Sequence, residues 1–157
     1  MNKSAEETFM EELLNSIGNE KKPENVLLFA HSCLELSTCM LAASQMPENI
    51  FLRLISENYN PRSENLLWKI EDLASLKPVD QNQSALRSQE LFKFVLSEKE
   101  LDLNTKATII LGLALAGFKS LGISKKQILS ISQKMRSFSE PEQTGSRKTE
   151  PQQNERS

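Results

Sequence analysis

Apolar residues recur along this chain at helical spacing, in runs punctuated by Gly, Pro and short polar stretches. Phe9, Leu13, Leu14 and Ile17 mark one face of a first helix. Ser4-Ala5-Glu6-Glu7 opens it as a capping box, in which a Ser hydroxyl and a Glu carboxylate satisfy each other's backbone N–H groups, and Gly18 supplies a stop. Pro23 suits the first turn of a second helix, where a missing N–H is harmless. Val26, Phe29, Ala30, Cys33, Leu34, Leu36, Met40, Leu41 and Ala43 follow, running to Pro47. Apolar residues on most sides predict a central, largely buried helix.

A third helix starts at Pro47, carries Ile50, Phe51, Leu54 and Ile55, and ends before the turn-forming Asn58-Tyr59-Asn60-Pro61. The pattern predicts a fourth from near Ser63, with Leu66, Leu67, Ile70 and Leu73, stopping before Pro78. Residues 78–84 read as a polar loop and the best internal hinge. A fifth helix is expected over roughly 85–97, with Leu91, Phe92, Val95 and Leu96. A sixth, capped by Asn104, runs from Ala107 to Phe118 and ends at Gly122. Ser124-Lys125-Lys126-Gln127 is a second capping box, opening a seventh helix with Ile128, Leu129, Ile131 and Met135.

These elements predict an all-α fold, a compact bundle or irregular array of six to seven short amphipathic helices over residues 1–138. Residues 139–157 are a polar tail of Pro, Gln, Glu, Ser, Arg and Lys, expected to be disordered because nothing in it can join a core. The core is expected to draw on Leu28, Phe29, Leu36, Phe51, Leu54, Leu67, Ile70, Phe92, Val95, Ile110, Leu113, Phe118 and Ile128. The sequences Pro23-Glu24-Asn25, Pro47-Glu48-Asn49 and Ser63-Glu64-Asn65, each followed by apolar residues, echo one another. Their unequal spacing argues for shared helix-start grammar over a true repeat.

Composition supports the helical reading: Leu, Ile, Ala and Met are plentiful, Val is scarce, and most of the five Gly and six Pro lie outside the apolar runs. The chain's net charge of −2 is unevenly spread. Six acidic residues face three basic ones from Met1 to Glu24, whereas Lys119 to Arg136 holds five basic residues and no acidic one. The acidic, polar N-terminus does not read as a secretory signal, so the expected location is cytoplasmic. Cys33 and Cys39 are separated along one helix by roughly 9 Å, too far for a disulfide, and are expected to be buried thiols.

Catalytic chemistry finds little to work with. His31 is the only histidine, and it points about 200° away from Cys33 around the helix axis. His31 and Cys39 share a side, but a zinc site takes three or four ligands. No glycine-rich phosphate loop occurs. The apolar run Ala107–Phe118 is too short to span a bilayer and is bracketed by Lys106 and Lys119. No cofactor, metal, catalytic residue or membrane partner is expected.

Two readings follow. The first is a non-enzymatic protein-binding module, an adaptor or dedicated chaperone, whose partner is another protein chain or a second copy of itself. The second is a helix-turn-helix regulator using residues 107–136, in which Gly122 makes the turn and Lys125, Lys126, Gln127, Lys134 and Arg136 meet nucleic acid. Phe118 speaks against it, standing where crossing helices ordinarily need a small residue, and so does the slightly acidic chain.

Overall fold

The computed structural model describes residues 4–17, 22–60, 66, 68 and 77–139, the last three by backbone alone. Among them are six helices and no strand: α1 (Ala5–Asn15), α2 (Pro23–Ala43), α3 (Glu48–Asn58), α4 (Gln81–Ser97), α5 (Leu103–Ser120) and α6 (Lys125–Ser139). The predicted fourth helix, the Gly18 stop and the polar tail beyond Ser139 lie outside the described residues. So do Leu67 and Ile70.

Local chemistry sets most helix ends. The Ser4–Glu7 capping box is closed in both directions, with N–H···O distances of 3.2 and 3.1 Å. Its counterpart at α6 joins Ser124 and Gln127 in the same way, at 3.1 and 3.2 Å. Pro23 stands at the start of α2, whereas Pro47 caps α3 from just outside. Thus the echoed tripeptides share a grammar and differ by one position in register. For α5 the cap is Asp102, not the expected Asn104; its carboxylate accepts the Thr105 N–H at 2.7 Å, which holds its pKa below the usual value.

Two helices end in the same six-residue wrap. At the end of α5, Ile123 N–H reaches Phe118 O and Gly122 N–H reaches Lys119 O, with Gly122 at a φ of 73°. At the end of α2, Met46 N–H reaches Leu41 O and Gln45 N–H reaches Ala42 O. There the left-handed position, φ 65°, is held by Gln45 and carries a steric cost that glycine avoids.

α2 is the axis of the fold, packed on α5, α4 and α6; α3 lies on α6, and α1 bridges α4 and α5. Its buried residues span most of its circumference, from Val26 and Phe29 to Met40 and Leu41. The buried hydroxyls of Ser37 and Thr38 are satisfied within the helix, both donating to Leu34 O. By length and composition α2 would also suffice to cross a bilayer, a property a wrapped core helix shares with a membrane span. In this fold 61% of that stretch is buried. α2 and α5 approach each other tightly at Gly117, where an added Cβ would stand 2.8 Å from the Ala30 Cβ. Trp68 packs edge-on against Phe29 beside it.

Polar ties hold the periphery. Tyr59 OH donates to Ile123 O at 2.5 Å, joining the end of α3 to the α5–α6 turn, and burial pushes the phenol up to about 12. The buried Lys106 ammonium donates to Val95 O at 2.7 Å and to Glu98 O. It also pairs with the Glu98 carboxylate at 3.5 Å, placing a cation at the negative end of α4. Arg87 of α4 donates to Ser16 O at the end of α1.

Residues 81–84, expected in a hinge loop, form the first turn of α4 behind an Asp80 cap. Ser84 is fully buried against α2. Its hydroxyl lies 2.9 Å from His31 Nδ1 and donates to Glu35 Oε1 at 3.1 Å, while its carbonyl accepts from Ser32. A segment fastened to the central helix by three hydrogen bonds is an anchor.

Of the expected core, Phe29, Leu36, Phe51, Val95, Ile110, Leu113, Phe118 and Ile128 are buried. Leu28 and Leu54 are half-buried. Phe92 is not in the core. The buried side of α4 runs through Ser84, Ser88, Leu91 and Val95, and one residue beyond Leu91 turns the chain by about 100°, outward.

Candidate functional site: an apolar groove between α2 and α4

The outward turn of Phe92 exposes an apolar surface beside α2. Leu36, Cys39, Met40 and Ala43 from α2 form one wall, Ser88, Gln89 and Phe92 from α4 the other, and Leu103 at the start of α5 closes one end. The open groove between them is about 410 Å³. Phe92, Leu103 and, one turn on from Phe92, Leu96 keep 38%, 45% and 57% of their surface in solvent. Isolated exposed leucines are ordinary, but an aromatic and aliphatic cluster edging a concave strip is the form of a helix-docking groove.

The sequence held a signal for this surface. The stretch Leu91-Phe92-Lys93-Phe94-Val95-Leu96 has five apolar residues in six. One buried face of a helix accommodates only those at i, i+3 and i+4. The surplus, Phe92 and Leu96, must point elsewhere.

The cysteines part company. Cys33 is wholly buried and its thiol is pushed far up by desolvation, which removes it from nucleophilic chemistry at ordinary pH. Cys39, expected to be buried as well, is exposed on the groove wall. Six residues along a helix rotate a side chain by about 240°, so the two thiols face different surroundings.

The candidate nucleic-acid residues fall into two groups. Lys126, Gln127 and Lys134 are exposed on α6 and Lys125 is half-exposed. Gln127 is engaged through its Oε1 in the capping box, accepting from both the N–H and the hydroxyl of Ser124. Arg136 is placed inside. Only 4% of it is exposed, its guanidinium lies over the Phe51 ring at 5.7 Å, and Nη2 donates to Met46 O. It ties α6 to α3 and to the end of α2, apart from the lysine stripe. α6 seats Ile128, Ser132 and Met135 and packs chiefly on α2 and α3. Phe118 is fully buried.

His31 does not meet a cysteine; its Nδ1 is engaged with Ser84, and burial lowers its pKa below the usual 6.5. Among the described residues no three His, Cys, Asp or Glu side chains converge as a metal set. A second, larger hollow of about 790 Å³ lies between α3 and α5, with Leu54, Asn58 and Tyr59 on one side and Thr108, Gly112 and Ala116 on the other. It is edged by Asn60 and Leu66, which flank residues outside the described set.

No family model, curated protein or solved structure matches the chain.

Proposed function

We propose that this protein is a non-enzymatic binding module that docks an amphipathic helix of a partner protein in the groove between α2 and α4. The supporting observation is the exposure of Phe92 and Leu103 on a concave apolar strip, with Leu96 exposed one helical turn beyond Phe92. Aromatic anchors beside a groove are where helix recognition concentrates its free energy, each supplying up to about 2–4 kcal/mol when covered. The strip is walled by helices whose inner faces are fully packed, so it is presented on a rigid base.

The test compares proteins retained by the wild type with those retained by a Phe92→Asp, Leu103→Asp double variant whose circular dichroism and thermal unfolding match the wild type. A partner retained by the first and lost by the second carries the reading. Identical retained sets contradict it. Sedimentation of both forms tells whether the partner is a second copy of the chain.

The exposed stripe Lys126, Gln127 and Lys134 favours a second reading, duplex binding by the α5–α6 hairpin, now without Arg136. Phosphate contacts by Lys125 and Lys126 predict salt-sensitive affinity for a labelled random duplex. Unchanged affinity and salt slope in the Lys125→Ala, Lys126→Ala variant sinks it.

A further inference from the structure

On the side of α2 that carries His31, the fold holds a smaller hollow of about 300 Å³, near the lower end of the range for small-molecule sites. Leu27, Phe118, Ile123 and Ile131 give it apolar walls, and His31 lines it together with Gln81 and Gln127. The hydrogen bonds behind His31 fix what it offers there. Ser84 has one hydroxyl proton and donates it to Glu35, at 3.1 Å. A carboxylate only accepts, so the direction of that bond is settled. Ser84 Oγ is then the acceptor for His31 Nδ1, 2.9 Å away, and the neutral ring must carry its proton on Nδ1. Nε2 is left with its lone pair, and it makes no hydrogen bond to a described residue.

We propose that this hollow binds a small, largely apolar molecule bearing one hydrogen-bond donor, a phenol or an alcohol of similar size, with His31 Nε2 accepting from it. The Glu35–Ser84–His31 chain acts as the positioning unit. It locks the tautomer, fixes the ring plane, and passes the carboxylate's polarisation to Nε2, as outer-sphere carboxylates do for other histidines. The apolar walls cover the ring of the ligand, and Gln81 and Gln127 line the same hollow. An imidazole acceptor in such a wall discriminates by hydrogen bonding: a molecule of the same shape without a donor leaves Nε2 unmatched and binds about tenfold more weakly. The site is separate from the α2–α4 groove and stands or falls without it.

The experiment titrates the full chain with phenol and, separately, with anisole, following amide shifts in two-dimensional NMR near neutral pH. The expected result is saturable binding of phenol in the millimolar range suited to so small a ligand, with shifts centred on Leu27, Phe118 and Ile131. Anisole should bind about tenfold more weakly. In His31→Leu the two ligands should become equal. Ile131→Trp leaves the Glu35–Ser84–His31 chain untouched and fills the hollow; it should lose phenol binding while remaining folded. Equal affinity for phenol and anisole in the wild type, no saturable shift with either, or undiminished phenol binding in folded Ile131→Trp overturns the proposal.

Discussion

The inner and outer sides of α4 and α5 are built to different rules. Toward α2, α4 presents Ser84, Ser88, Leu91 and Val95, and α5 presents Gly117, each matched to what it meets. Ser84 is fully hydrogen-bonded, Leu91 is wholly buried, and Gly117 is small because Ala30 is already there. On the outer sides, Phe92 and Leu96 of α4 stand in solvent, and a Cβ added at Gly112 of α5 would meet no described residue within 4 Å. Size and polarity are therefore dictated by neighbours on one side and unexplained by neighbours on the other. Among the described residues, nothing sets the size or polarity of that second kind.

Substitutions sharpen the contrast. Leu91→Ala opens a hole in the packed side and should cost about 2–5 kcal/mol of unfolding free energy, whereas Phe92→Ala, one residue away, should cost under about 1 kcal/mol. Denaturant titration of the pair reads both; equal losses would erase the distinction between the sides.

The two glycines of α5 give a smaller effect of opposite sign. Gly117→Ala drives a methyl group against Ala30 and should destabilise by about 1–3 kcal/mol, despite alanine's better helix propensity. Gly112→Ala, clear of every described residue within the same helix, should stabilise by up to about 1 kcal/mol. Thermal melts of both variants check the sign, and a stabilising Gly117→Ala would mean that α2 and α5 are farther apart than described.

Ser84→Ala removes the link between His31 and Glu35 and should cost about 1–2 kcal/mol, chiefly through the polar groups left without their partner. Its readout is chemical denaturation alongside the His31 ring signals in NMR, which should lose their present tautomer-specific shifts.

The smallest effect is a pH dependence. Burial lowers the pKa of His31 below 6.5, so the unfolded chain takes up a proton before the folded one does. Stability is full above about pH 6.5 and declines as pH falls from there toward the lower folded value. In His31→Gln the decline that begins below about pH 6.5 should disappear, with the carboxylate-driven loss at lower pH retained. A matching decline in the variant would assign it to other groups.

How much of this was legible depended on how local its cause is. The Ser4–Glu7 and Ser124–Gln127 capping boxes and the Pro23 start lie within four residues of chain, and each was readable as written. The end of α2 was less so, because the left-handed position is taken by Gln45 without a glycine to mark it. Ser84 was read as loop because the partners that bury it, His31 and Glu35, lie about fifty residues upstream. Arg136 was assigned to the basic stripe because nothing beside it in sequence announces Phe51 or Met46. Phe92 was assigned to the core on hydrophobicity alone, although the apolar surplus of residues 91–96 already showed that one face was insufficient. The groove was therefore half-written in the chain: its excess was visible, its second wall on α2 was not.

Cys39 offers the most direct test of that groove, since it sits on the wall while Cys33 is buried. The measurement is the rate at which iodoacetamide alkylates Cys39 in the free protein and in complex with the partner selected through Phe92 and Leu103. Docking in the groove predicts that the complex is alkylated about tenfold more slowly or less, with the partner's helix covering the thiol. An unchanged rate in a saturated complex would place the partner elsewhere and contradict the account.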